Sequence, residues 1–175
     1  MVNLEELFED TIKDLYSAEK QFLRAMPKVM KATRSPELKR AIRNHIAQSE
    51  GHVLRLEKIA QISGFNPIGN VCQVAQNLVA EGNELLQLGR PSLTRDVAII
   101  AWVQKIERYE ISSYETVIGW AEALGKLRAV TRLQASLEEE QQTYEVLGAI
   151  SESIIATAAS VASVKAKLSA SLMFR

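Results

Sequence analysis

The sequence predicts an all-α protein built on four long helices, and three observations carry that prediction. Apolar residues recur at helical spacing over long runs, and no stretch shows the two-residue alternation of a strand. The 175 residues include only 8 Gly and 4 Pro, and the signals Ser35-Pro36, Gly64, Asn66-Pro67, Gly89-Arg90-Pro91 and Gly125 fall where the periodic runs end. The connections between runs are short except for one of about 25 residues, well beyond the usual length.

The first helix opens at Asn3, which with Glu6 reads as a capping box. Leu4, Phe8, Ile12, Leu15, Phe22, Leu23, Met26 and Met30 keep its period to about residue 31. Ser35 then stands as an N-cap with Pro36 at the first helical position. The second helix places Leu38, Ile42, Val53, Leu56 and Ile59 on one face and stops at Gly64. Asn66-Pro67 predicts the start of a shorter third stretch through Val71, Ala75, Leu78, Val79 and Leu85, ended by Gly89-Arg90-Pro91.

Ser92 or Thr94 opens a helix running to Ala123, with Gly125 as its C-terminal cap. A further helix covers residues 127–148, with Val130, Leu133, Leu137, Tyr144 and Leu147 inward. The Ala- and Ser-rich segment 151–175 predicts a separate, weakly amphipathic tail helix, whose Ile154, Val161, Leu168 and Leu172 fall near a seven-residue spacing. The expected organisation is one bundle domain over residues 1–150, with a crossover segment at 67–90, followed by the tail. Two antiparallel hairpins joined by a long crossover form the ferritin-like four-helix bundle, whose core can hold a di-metal carboxylate site.

Composition narrows the function. Hydrophobic content of 47% with 24% charged residues is ordinary for a globular protein. Twenty-one basic residues balance 21 acidic ones, so nothing points to nucleic acid or an anionic membrane surface. No uncharged apolar run reaches the ~18 residues of a membrane span. Cys72 is the only cysteine, which excludes an intrachain disulfide and suits a reducing compartment. The acidic, amphipathic start Asn3-Leu4-Glu5-Glu6 is unlike a targeting peptide, so the expectation is a soluble cytoplasmic protein.

The chemistry lies in polar residues on apolar faces. At roughly 100° per residue, Glu107 and Glu110 fall within the stripe formed by Ile100, Val103, Ile106, Ile111 and Tyr114. Carboxylates so placed cost several kcal/mol each unless cations, shared protons or metal ions satisfy them. Glu19 lies among Leu15, Phe22, Leu23 and Met26, and Glu140 among Leu133, Leu137, Tyr144 and Leu147, while periodicity turns Glu139 about 100° away. His45, Ser49, His52 and Leu56 line the second helix. The Glu-x-x-His pattern of di-iron bundles appears there as Ser49-Glu50-Gly51-His52, with Glu50 at the stripe's edge and Gln48 on the other.

Lys20, Arg24 and Arg108 read as outward, so few buried cations offset this acidity. Two readings stand: a metal site built from Glu19, His45, Glu50, His52, Glu107, Glu110 and Glu140, and a salt-bridged polar core. Tyr16, Tyr114, Trp102 and Cys72 read most simply as packing residues, with Tyr114 also in reach of the site.

Four motifs in order resemble the YciF/YciE-type stress-protein family over residues 4–150. They are Leu15-Tyr16-Ser17-Ala18-Glu19-Lys20-Gln21, the stretch from His45 to His52, Lys105-Ile106-Glu107-Arg108-Tyr109-Glu110-Ile111-Ser112-Ser113-Tyr114, and Leu137-Glu138-Glu139-Glu140. The resemblance implies a ferritin-like bundle, a homodimer, and a rubrerythrin-like di-metal site at Glu19, His45, Glu107, Glu110 and Glu140. In that family the second-helix motif has Glu where this chain has Gln48, and Gln where it has His52. The expected function is a di-iron or di-manganese protein acting on peroxide, oxygen or ferrous iron, with bridging carboxylates such as Glu19 and Glu107. The alternative is a non-catalytic dimeric helical stress or interaction protein with a degenerate site.

Overall fold

The computed structural model describes residues 3–87 and 89–173, with side chains for all of these except 158 and 161–173. The described residues form five helices and no strand: α1 (Leu4–Ala32), α2 (Pro36–Ser63), α3 (Gln73–Leu85), α4 (Leu93–Ala123) and α5 (Leu127–Met173). No helix among them is long and apolar enough to cross a membrane.

The caps explain the boundaries. The Asn3 side chain accepts from Glu6 N at 2.9 Å while Glu6 Oε2 accepts from Asn3 N at 3.1 Å, closing the capping box. Ser35 Oγ accepts from Leu38 N at 3.3 Å, and Ser92, not Thr94, caps α4 by accepting from Arg95 N at 3.2 Å. Gly64 ends α2 at φ 85°, a conformation that carries little steric cost only without a Cβ.

Two boundaries differ from the periodic reading. Helix α3 begins at Gln73, not at Asn66-Pro67. Asn66 Oδ1 takes the Ile68 N–H in a local turn at 2.9 Å, and α1 holds the extended backbone at Cys72. Ser17 Oγ accepts from Cys72 N at 2.9 Å, and Gln21 Nε2 donates to Cys72 O at 3.0 Å. The tail is helical but not separate: α5 continues without a break through Met173, because nothing after Gly148 interrupts it. Ile150 and Ile154 are buried in the bundle core, whereas the predicted contacts of Val161, Leu168 and Leu172 fall outside the described side chains.

Helix α1 packs on α2 and α4, and α5 packs on the same two helices from the other side, with α3 lying across α1 and α4. Neighbouring helices among α1, α2, α4 and α5 are antiparallel; along α2 and α5, for example, Gln48 meets Thr143 and Arg55 meets Ser136. The α1–α2 loop is fixed from α4 by fully buried Asp96, whose carboxylate accepts from Arg34 N at 3.0 Å and Ser35 N at 2.6 Å.

The apolar interior is divided. One cluster gathers Phe22, Met26, Leu38, Ile42, Trp102 and Leu147; the other gathers Phe8, Ile12, Leu56, Ile59, Val117 and Leu133. A polar layer lies between them at mid-bundle.

Candidate metal centre

Each bundle helix sends side chains into that layer. Glu19 comes from α1, His45 and His52 from α2, Glu107 and Glu110 from α4, and Glu140 from α5. The four glutamates and His52 are 0% exposed and His45 2%, so their desolvation must be compensated inside the protein. Helical periodicity accounts for all six positions.

The layer resolves into two overlapping groups. His45, Glu107, Glu110 and Glu140 bring one nitrogen and three carboxylates together, and Glu19, His52 and Glu140 bring one nitrogen and two; within each group the donor atoms lie within 4.8 Å of one another. His45 Nε2 is 3.3 Å from Glu107 Oε1, and its Nδ1 is 3.8 Å from Glu140 Oε2. His52 Nδ1 is 2.8 Å from Glu140 Oε1 and 3.0 Å from Glu19 Oε1, and only the latter contact has hydrogen-bond geometry. Glu140 is thus the carboxylate common to both groups, a place the sequence reading gave to Glu19 and Glu107.

Glu50 needs correction. It is exposed, lining an outer groove with Lys20, Leu23, Arg24, Val53 and Leu54, and stands outside both groups. Gln48 accepts a hydrogen bond from the Thr143 hydroxyl at 3.2 Å, and Ser49 is buried at 3% exposure, so α2 gives the layer imidazoles and no carboxylate. Tyr144 is only half-buried, its ring covered by the Arg108 guanidinium at 4.1 Å. Cys72 and Trp102 are core residues as read; the Cys72 Sγ lies 3.1 Å from the Tyr109 hydroxyl.

Three side chains around the layer have definite roles. The Tyr114 hydroxyl donates to Glu19 Oε1 at 2.7 Å, fulfilling the reach noted for it. Glu139, which periodicity turns outward, sits 2.9 Å from His52 Nε2 through its Oε2. Arg55 grips the same carboxylate with both terminal nitrogens, at 2.7 and 3.0 Å. The available signal is spacing: Arg55 lies three residues from His52 on one face of α2, long enough to reach across to α5.

The electrostatics are those of a crowded acidic core. Burial pushes the Glu107 and Glu110 carboxyls well above the usual range, and the charges of the neighbouring glutamates add to it. Burial also opposes ionisation of Glu140, but the Glu107 carboxyl and the two imidazoles outweigh it and hold Glu140 at about 2. Burial lowers His52, yet Glu19 and Glu140 more than reverse this and raise it to about 10. Burial, then the Glu19 charge, keeps Tyr114 a phenol.

These side chains pass a test of fit to a metal. Among the described residues, every buried side-chain N or O atom lacking a hydrogen-bond partner, the Arg95 Nε apart, belongs to Glu19, His45, Glu107, Glu110 or Glu140. Native interiors leave few such groups. Hard carboxylate oxygens with imidazole nitrogens are the donor set of iron and manganese.

Fold and site together define a ferritin-like helical bundle with a carboxylate–histidine layer at its centre. Comparison with known proteins is specific. The chain matches the domain of unknown function DUF892 over residues 3–160, past the point where the motif resemblance ends. It is 35% identical over 144 residues to Protein YciF of Escherichia coli (strain K12), covering 82% of this chain and 87% of that protein. The crystal structure of the E. coli stress protein YciF is similar at a TM-score of 0.85 with 33% identity, covering 89% of this chain and 98% of that one. YcfI of Rhodopseudomonas palustris follows at a TM-score of 0.81 and 30% identity, over 84% and 94%. The chain belongs to the DUF892 family and is YciF-like, as its four motifs imply.

Proposed function

We propose that the protein is a di-metal carboxylate protein of the stress-response type, holding iron or manganese in the mid-bundle layer and acting on peroxide, oxygen or ferrous iron. The observation that carries this reading is the set of unpartnered buried donor atoms on Glu19, His45, Glu107, Glu110 and Glu140, gathered into two groups that share Glu140. The stress association is that of the E. coli relative, which is described as a stress protein. When bound, iron or manganese would supply one-electron redox chemistry toward such substrates.

The chain's residues divide that task unequally. His45, Glu107, Glu110 and Glu140 offer a four-residue position, and Glu19, His52 and Glu140 a three-residue one. Tyr114 holds Oε1 of Glu19, leaving its Oε2 unpartnered within the layer. The apolar clusters on either side exclude bulk water from the layer, which strengthens every charge interaction within it. A homodimer, implied by the family resemblance, belongs to the same proposal and is read by sedimentation.

A second reading has an observation of its own. His52 faces Glu19, Glu139 and Glu140 within 3.0 Å, so a protonated imidazole could serve as the cation of an ion-paired, metal-free core. Elemental analysis of full-length protein purified without chelator, then loaded anaerobically with ferrous iron, separates the two. About two metals per chain is the expected result. No metal after loading refutes the proposal and leaves the ion-paired core.

A further inference from the structure

The two histidines of the layer differ in how they are held. Both nitrogens of His45 face carboxylates inside the layer, and neither makes a hydrogen bond. His52 is divided between inside and outside. Its Nδ1 faces Glu19 and Glu140, whereas Nε2 meets Glu139 Oε2 at 2.9 Å. Arg55 fixes Glu139 in turn, its Nη1 donating to Oε2 at 2.7 Å and its Nη2 to Oε1 at 3.0 Å; Nη1 also donates to Ser136 Oγ at 3.2 Å. The Tyr114 ring abuts the imidazole edge-on, with centroids 6.0 Å apart, so ring rotation is restricted as well.

A carboxylate that accepts from one ring nitrogen directs the imidazole and makes the other nitrogen the better donor. A guanidinium fork orients that carboxylate more rigidly than a point charge can. We infer that Glu139 and Arg55 are positioning residues for the proposed metal centre, presenting His52 Nδ1 to a metal ion at the Glu19–His52–Glu140 position. The inference rests on the metal-binding reading and adds to it a device that only one of the two positions possesses. The competing explanation is a partly exposed ion pair joining α2 to α5, which would contribute little and touch no metal property.

Cobalt(II) titration of the full-length protein, followed by visible absorption and chelator competition, tests this in wild type, Glu139→Ala, Glu139→Gln and Arg55→Met. Wild type is expected to fill two positions. Glu139→Ala should weaken one step by about 10–100-fold and leave the other within about threefold. Glu139→Gln, which can still accept from Nε2, should recover most of the loss. In the zinc-loaded wild type, long-range nitrogen–proton correlation should show a proton on His52 Nε2 and none on Nδ1. Two wild-type steps that Glu139→Ala leaves unchanged would overturn the inference alone, as would a proton found on Nδ1 in the zinc-loaded form. A wild-type chain that takes up no cobalt would overturn the metal reading, and this inference with it.

Discussion

Glu140 is the side chain on which the proposed centre depends most, because it alone belongs to both donor groups. Replacing it by Gln keeps its volume and removes its charge. The size of the effect follows from linkage: a metal at 100 times its Kd stabilises the fold by about 2.7 kcal/mol per position. For 175 residues at ~2.1 cal/mol/K each, the unfolding entropy is about 0.37 kcal/mol/K. One filled position then raises Tm by about 7 °C and two by about 15 °C. The assay is calorimetry with saturating manganese(II), each variant measured against its own chelator-treated sample so that metal-free stability cancels. Wild type should show the full rise. Glu19→Gln and Glu110→Gln, each touching one group, should keep about half of it. Glu140→Gln should keep almost none. If Glu140→Gln kept as much as Glu19→Gln, the two groups would not share a ligand, and the assignment of Glu140 as the common carboxylate would be wrong.

Three other predictions rest on the same structure. Because Glu107 and Glu110 are raised well above the usual range, metal must displace their protons, so affinity should increase with pH, and calorimetric heats should differ between buffers of unequal ionisation enthalpy. In the metal-free protein these raised groups stabilise the fold fully below their unfolded value of 4.5 and lose that contribution as pH rises through their folded values; His52 does so from 6.5 to about 10. Glu140, lowered to about 2, has the opposite sign, and its contribution is lost only as pH falls below 4.5. Urea unfolding of metal-free protein should therefore show less stability at about pH 9 than at about pH 6. Separately, Asp96→Ala strips the acceptor from the Arg34 and Ser35 amides and should cost about 2–3 kcal/mol in the same assay without altering metal stoichiometry.

How far the sequence could be read depended on whether the deciding interactions were local. Caps such as Asn3 with Glu6, and Ser35 with Pro36, act within one turn, and they placed helix ends correctly. The start of α3 was misplaced because the hydrogen bonds that keep residues near Cys72 extended come from Ser17 and Gln21 of another helix. Periodicity found Glu19, His45, His52, Glu107, Glu110 and Glu140 because each lies near the centre of an apolar stripe. It failed at the edges. Glu50 and Glu139 flank their stripes in similar ways, yet Glu50 turns to solvent while Glu139 is drawn in by Arg55 and His52. Nothing within one helix distinguishes them; the difference lies across the α2–α5 contact.

The missing carboxylate of α2 is the feature that most weakens a di-metal reading, and charge bookkeeping changes its meaning. Two divalent ions at the proposed centre would bring four positive charges into a layer that must be nearly neutral to stay buried. In that loaded state Glu19, Glu107, Glu110 and Glu140 as carboxylates would supply four negative charges, and His45 and His52 as neutral nitrogen donors would add none. A fifth inward carboxylate, in place of Gln48 or Ser49, would leave the loaded layer with a net negative charge. Without metal, the layer limits its charge by holding protons on Glu107 and Glu110 and on His52. Proton uptake and the proposed metal uptake would thus be alternative ways of neutralising one set of side chains. What α2 withholds is a donor oxygen, not a needed charge, so the proposed centre would depend more on the Glu140 carboxylate common to both groups than it would in a bundle with a glutamate at that turn.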